Sequence, residues 1–454
     1  MTQLTRAMRL PDATAMVVGT IIGASIFVQP SEITRLVPTP GGIVLVWVLA
    51  GVLTMIGALI CAELSSAFPR TGGVYVFLRD IFGRPVGFLW GWAMLVSMHT
   101  GIIAAIAVVF ARYVDYFLQV GPAGVRGIAV GAVVGLSAFN CLGIRQGSRL
   151  QTIVTGARLA AIAALIAAGV TLPPPAAGEA AAAAPASAGA RDVLLALVAG
   201  LFAFGGWHLV TYTAGETVEP ERTIPRSLVL GTAIVTACYV ALNAIYLRVL
   251  PIERVTASTR IAADAAEALV GPVGGTLVAL LVVVSTFGAL NGIILAGPRV
   301  YFSMAGDGLL FRSAAALHPR FGTPVRAILI QAAWASVLVL TNTYGELFRR
   351  VIYTEWIFFG LLALGVVVLR RRPGYAPPFR MAGAPWLPMA FALSCAAIVV
   401  NQVADDPVSS LIGLAAVAAG LPVYYVLLAP RAARAPTSVG GIAPTPESRL
   451  HRPR

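Results

Sequence analysis

Apolar runs of about 20 residues, each closed by a short polar or Gly/Pro-containing connection, follow one another along most of the chain. That length is what a helix needs to cross the hydrocarbon core of a bilayer. Twelve runs are read, at 12–36, 42–68, 86–118, 126–144, 149–171, 191–217, 226–250, 268–304, 324–341, 346–370, 384–402 and 408–428. The third and eighth are long enough to predict tilted or protruding helices. Residues 73–83 (GVYVFLRDIFG) are too short to span and predict an interfacial helix on the inner side. Residues 172–190 (LPPPAAGEAAAAAPASAGA) are low in complexity and read as a flexible outer loop between two sets of five runs. The organisation is therefore 1–11 as a cytoplasmic N-terminus, 12–171 and 191–370 as two halves, 371–430 as two extra helices, and 431–454 as a disordered tail.

Two runs interrupt themselves. Residues 15–30 (AMVVGTIIGASIFVQP) carry Gly19, Gly23, Ala24 and Ser25 at their centre, and small residues there weaken helix propagation. The same device recurs at 201–207 (LFAFGGW). Open backbone at membrane depth is tolerated only where protein or a water-filled cavity covers it. Paired interruptions at matching places in two halves point to the central site of a transporter. Helix N-terminal amides suit a carboxylate, and free carbonyls at the facing ends suit an ammonium group. A zwitterion with both groups on one carbon matches. The amides of Ala24, Ser25 and Ile26 would take the carboxylate, and carbonyls near Ile21, Phe202 and Phe204 the amine. The competing reading is that the glycines only let helices pack closely.

Composition narrows the class. The 454 residues are 58% hydrophobic and 11% charged, with mean hydropathy +0.86. A soluble domain carries about 25% charged residues, so this is a polytopic membrane protein. The net charge is +13, and all 32 basic residues are Arg. Such a balance can signal nucleic acid, but at this hydropathy the lipid bilayer is the partner and nucleic acid is not. Arginines gather in alternate connections: Arg70, Arg79, Arg84, Arg145, Arg149, Arg222, Arg226, Arg320 and Arg370–Arg372. That bias places the N-terminus inside, and an even number of spans brings the C-terminus back to the cytoplasm. Cys61, Cys141, Cys238 and Cys395 are scattered, with no metal or disulfide spacing. No enzyme signature, cofactor motif or metal cluster is found.

The ordered motifs resemble the L-type amino acid transporters of the amino acid–polyamine–organocation superfamily, from about residue 10 to about residue 390. TIIGASIFVQP at 20–30 is similar to that family's first-helix motif. Residues 62–73 (AELSSAFPRTGG) resemble its second-helix exit. FAFGGW at 202–207 with Gly215, Glu216 and 219–226 (EPERTIPR) resembles its sixth helix. STFGALNG at 285–292, with Arg299 and 306–308 (GDG), resembles its eighth. The resemblance implies an all-α membrane protein of 12 transmembrane helices in the LeuT-like inverted five-plus-five repeat, with broken helices 1 and 6 and two extra helices. It also implies alternating-access import or exchange of L-amino acids in the plasma (inner) membrane, with both termini cytoplasmic. The substrate would bind at Ile21, Ile22, Gly23, Ala24, Ser25, Ile26, Phe202, Ala203, Phe204, Gly205, Trp207 and His208, with Phe202 as an aromatic gate. That lining shows no evident acid, which argues for neutral substrates. The loop 118–127 lacks the cysteine with which some family members hold an accessory subunit, so no disulfide-linked partner is expected.

One departure stands out. Where the family carries a lysine in place of a bound sodium ion, this chain has Arg158. Lys can lose its proton when buried, whereas Arg effectively cannot. Arg158 is expected to be a fixed cation bracing the first and eighth helices near Ser285 and Thr286, and so to free transport from sodium. The alternative is that it snorkels to the inner face. Glu355 is a candidate proton site or cationic-substrate partner, or else an ion-pair partner of Arg349 or Arg350. Glu63 and Asp80 with Arg70, Arg79 and Arg84, and Glu216, Glu219 and Glu221 with Arg222 and Arg226, read as cytoplasmic charge networks. Two other functions remain open: a proton-coupled amino acid or polyamine symporter, and a membrane sensor that keeps the binding fold.

Overall fold

The computed structural model describes residues 6–23, 25–173, 188–258, 261–341 and 344–428, with the side chains of 144–148, 312, 344–353, 409 and 427–428 excepted. Ala24, most of the 172–190 loop and the tail from 429 lie outside the described residues, as do the side chains of Arg349 and Arg350. Among the described residues the chain is helical, with a single isolated β-bridge between Met8 and Thr217.

In chain order the helices are α1 (Leu10–Ile21), α2 (Gln29–Leu36), α3 (Pro40–Ala67), α4 (Val74–Phe82), α5 (Arg84–Val96), α6 (Met98–Leu118), α7 (Gly121–Cys141), α8 (Ile144–Thr171) and α9 (Ala190–Ala203). They continue as α10 (Pro220–Val249), α11 (Ile252–Ala257), α12 (Ile261–Val270), α13 (Pro272–Gly306), α14 (Val325–Thr341), α15 (Tyr344–Arg370), α16 (Trp386–Asp405) and α17 (Pro407–Ala418). Eight helical segments among the described residues are long and apolar enough to cross a membrane, and shorter apolar helices accompany them. This is a multi-pass membrane protein.

Both interruptions are present. The α-helix stops at Ile21, a 3₁₀ turn covers Ser25–Phe27, and α2 starts with Pro30 in its first turn, where a missing N–H leaves nothing unpaired. The second stops at Ala203 and resumes after Gly205-Gly206 as a 3₁₀ segment, Trp207–Glu216. The expected long third run is divided at Ser97 into α5 and α6, and the expected start of the eighth run falls into α12 before α13 begins. Residues 74–82 form the short helix expected there.

The interrupted helices sit at the centre. α1 packs against α8, α10, α13 and the Trp207–Glu216 segment, and α10 packs along α3. α8 meets α1 through a polar stripe at helical spacing: Gln151, Thr155 and Arg158 are buried. Thr155 Oγ1 donates to the Ala15 carbonyl at 3.1 Å, and Thr152 Oγ1 to Asp12 at 3.2 Å. Outward faces of α3, α13, α16 and α17 carry exposed Leu, Val and Ile, as a lipid-facing surface does.

Candidate functional site

The two interruptions touch each other. Thr20 Oγ1 lies 3.1 Å from the Gly206 carbonyl oxygen. Gly206 adopts φ +98°, and a Cβ built there would fall 2.9 Å from the Thr20 carbonyl oxygen. Only glycine satisfies both conditions without strain. Gly206→Ala is therefore expected to lower the unfolding temperature of the detergent-solubilised protein by a strain of about 1–3 kcal/mol. An unchanged melting curve would show that the two interruptions do not depend on this close approach. On the opposite side, the Tyr239 hydroxyl bridges the last carbonyls of both helices, 3.0 Å from Ile21 O and 3.1 Å from Ala203 O.

Arg158 reaches the first interruption from α8. Its side chain is fully buried, and Nη1 donates to the carbonyls of Gly19, at 2.9 Å, and of Ile22. Nη2 donates to the carbonyl of Ser285 on α13. The guanidinium thus ties freed helix-end carbonyls of α1 to α13 and does not extend to solvent. Its contact at α13 is the Ser285 backbone; the Ser285 hydroxyl has no partner in hydrogen-bond geometry, and Thr286 Oγ1 turns back to Val282 O at 2.7 Å.

Where the interruptions cross lies a cavity of about 50 Å³. Ile21, Gly23, Ser25, Phe202, Gly205, Trp207, His208 and Glu355 of the expected residues line it. The 3₁₀ turn begins at Ser25, so its first amides have no acceptor within the helix. Ile22, Ile26, Ala203 and Phe204 stand outside the lining. Ile26 is in the core, Ala203 holds Tyr239, and Phe204 packs on Trp47 and Tyr239 with ring centroids 6.3 and 4.9 Å apart. The Ile21 carbonyl already accepts the Gly23 amide at 2.7 Å and the Tyr239 hydroxyl, so it is not free for an amine. The expectation of a pocket without an acid is corrected: Glu355 on α15 is in the wall, with Oε1 3.5 Å from His208 Nε2. Nothing adjacent in sequence links them; 147 positions (355 − 208) separate the pair.

A family profile described as "Amino acid permease" matches residues 9–427. The chain belongs to that family. Over 433 residues the permease is 31% identical to the large neutral amino acids transporter small subunit 2 of Rattus norvegicus, covering 93% of this chain and 81% of that protein. It is likewise 31% identical over 417 residues to the serine/threonine exchanger SteT of Bacillus subtilis (strain 168), covering 91% and 94%. The human cystine/glutamate transporter is 27% identical over 433 residues, covering 94% and 86%.

The permease also holds buried charge at one end of the bundle, with partners different from those expected. Glu216 pairs with Arg299 rather than Arg222 or Arg226: Nε to Oε2 is 2.8 Å and Nη2 to Oε1 is 3.0 Å. The Glu216 carbonyl accepts the amides of Ala7 and Met8, which docks the N-terminal segment beside the second interruption. Glu63 is held by Arg370, at 3.0 and 2.6 Å, and by the Met381 amide at 2.9 Å. Asp80 does join Arg70 and Arg79, and Arg79 also reaches Asp307. Residue spacing could not have found Arg299 or Arg370 as partners, because both pairs close across helices distant in sequence. Thr20, Trp90, Tyr212, Tyr239 and Phe359 were missed as site residues for the same reason.

Proposed function

We propose that this permease exchanges L-amino acids across the plasma membrane by alternating access, without sodium. The observation that carries the reading is the crossing of two interrupted helices at a cavity, with the Arg158 guanidinium set among the carbonyls of Gly19, Ile22 and Ser285. Amides at the Ser25 turn suit a substrate carboxylate, and the helix-end dipoles favour it there. Arg158 fills with a permanent charge the carbonyl-lined place that would otherwise suit a metal cation, so substrate binding needs no ion to complete the site. The similar proteins, a large neutral amino acids transporter subunit and a serine/threonine exchanger, agree by their names with amino acid cargo. The architecture that goes with this function is 12 spans, helices 1–5 and 6–10 forming an inverted repeat, with two extra helices and both termini in the cytoplasm. The arginine bias supports that orientation. The protein works without a cofactor and without a disulfide-linked accessory subunit.

Purified protein in liposomes preloaded with unlabelled amino acids is expected to take up labelled substrate by counterflow, equally in sodium and in choline buffer. Absence of counterflow for every amino acid, or a strict sodium requirement, would overturn the reading. Proton symport is a second reading, favoured by Glu355 in the cavity wall. It predicts accumulation in liposomes holding no amino acid when only an inward proton gradient is imposed.

A further inference from the structure

The connection from α15 to α16 is fastened to the bundle at several points. Arg370, the last residue of α15, donates to both oxygens of Glu63 and, through Nη2, to the Met381 carbonyl at 2.7 Å. Ser66 Oγ on α3 accepts the Phe379 amide at 3.2 Å, and the Tyr375 amide closes a turn on the Arg372 carbonyl at 3.3 Å. Three arginines stand exposed on this platform: Arg371, Arg372 and Arg380. None of the three pairs with a carboxylate among the described residues. Arg372 Nη2 donates to the Ile81 carbonyl of α4 at 3.0 Å, and Arg380 Nη2 to the Tyr375 carbonyl at 2.6 Å, which draws Arg380 back onto the turn that carries Arg372. The nearby acids are already taken, Glu63 by Arg370, Asp80 by Arg70 and Arg79, and Asp307 by Arg79. Just past the platform, α16 opens on Trp386, which is 77% exposed, and exposed Met389, Leu393 and Val400 follow at helical spacing. α16 is long and apolar enough to cross the membrane. An exposed Trp at the end of such a helix marks the headgroup level, so the apolar stripe after it runs along the acyl chains.

We propose that Arg371, Arg372 and Arg380 form a docking surface for the phosphodiester headgroup of an anionic phospholipid, whose acyl chains lie along the Trp386–Val400 face. The inference goes beyond amino acid exchange and does not rest on it. Three properties define the partner. The first is the phosphate. The planar guanidinium fork matches phosphate oxygens two at a time and is weakly hydrated, which suits a site between water and lipid. The second is net charge. A zwitterionic lipid brings the same phosphate but also a cationic amine, which three uncompensated arginines repel; an anionic lipid brings no such charge. The third is the chains. A free phosphate ester carries the charge but has nothing to lay on the apolar stripe of α16, and burying apolar surface there adds to the headgroup contact. The platform grips α3 through Glu63 and Ser66 and α4 through Ile81, so a lipid held on it stabilises the joined helices. Because the arginines are exposed, added salt weakens the contact.

The test titrates the detergent-solubilised full-length protein with phosphatidylglycerol, with phosphatidylcholine of the same chains, and with glycerol 3-phosphate, and reads the unfolding temperature. A ligand that binds the folded state raises that temperature in proportion to its occupancy. Phosphatidylglycerol is expected to raise it saturably, and the other two to leave it nearly unchanged. An arginine near an anionic lipid surface is worth about fivefold in affinity. Arg371→Gln, whose side chain bonds nothing among the described residues, is therefore expected to weaken the phosphatidylglycerol midpoint about fivefold. Arg371→Gln, Arg372→Gln and Arg380→Gln together are expected to weaken it about 100-fold. Arg126→Gln, Arg248→Gln and Arg254→Gln together remove the same charge from exposed positions elsewhere and are expected to leave the midpoint unchanged. Equal stabilisation by the two lipids overturns the proposal, as does stabilisation by glycerol 3-phosphate alone. So does an unchanged midpoint in Arg371→Gln, or an equal loss in the variant altered elsewhere. None of these outcomes touches the exchange reading, which stands or falls on counterflow.

Discussion

Arg158→Met is expected to cut exchange by about 100-fold or more, measured as counterflow per mole of correctly folded protein in liposomes. Methionine fills the stem volume but donates nothing. The carbonyls of Gly19, Ile22 and Ser285 then lose their shared donor inside the bundle. Hydrogen bonds to a charged group are worth about 1.5–3 kcal/mol each. If two of the three matter to the geometry of the α1 interruption, the loss is about 3 kcal/mol or more, and each 1.4 kcal/mol is a factor of ten. Arg158→Lys keeps the charge but cannot span two helices with a planar fork, so it is expected to retain part of the activity. Exchange by Arg158→Met within threefold of wild type would remove Arg158 from the mechanism and leave it as a packing residue.

The second large effect is on stability. Arg299 and Glu216 are 0% and 1% exposed, and their two-point contact joins α13 to the end of the second interruption. Removing one partner strands a charge in a dry interior, which costs about 3–5 kcal/mol. Glu216→Leu is therefore expected to lower the unfolding temperature in detergent strongly. The double variant Glu216→Leu with Arg299→Met replaces both charges by apolar groups, and it is expected to recover most of that loss, because a buried pair roughly balances its own desolvation. A single variant as stable as wild type, or a double variant no better than the single, would contradict this account.

Several elements were readable before any coordinates. Membrane helices announce themselves by length and apolarity, since lipid forces every backbone group to be paired within the segment. The interruptions at Gly23 and Gly205-Gly206 were readable because small residues in an apolar run are a local signal. Arg158 was readable because an intramembrane cation is costly. What could not be read was which partner each group finds. Glu355 stood as a residue of α15 with two candidate arginines five and six positions away in sequence, yet in space it faces His208 from the Trp207–Glu216 segment. Glu216 has Arg222 and Arg226 close by in sequence, yet it is Arg299 that closes on it. Phe204 looked like a pocket residue from its motif, but it packs on Trp47 and Tyr239 instead.

By itself, then, the sequence determined the class, the positions of the two interruptions and the cost of placing Arg158 between helices, because each follows from the local balance of apolar surface and polar backbone. Only the tertiary structure decided that Tyr239 joins the ends of α1 and α9, that Arg158 spans from α1 to α13, and that Glu355 and His208 share one cavity. Those contacts join segments distant in the chain, and their choice depends on helix packing, which no single stretch of residues encodes.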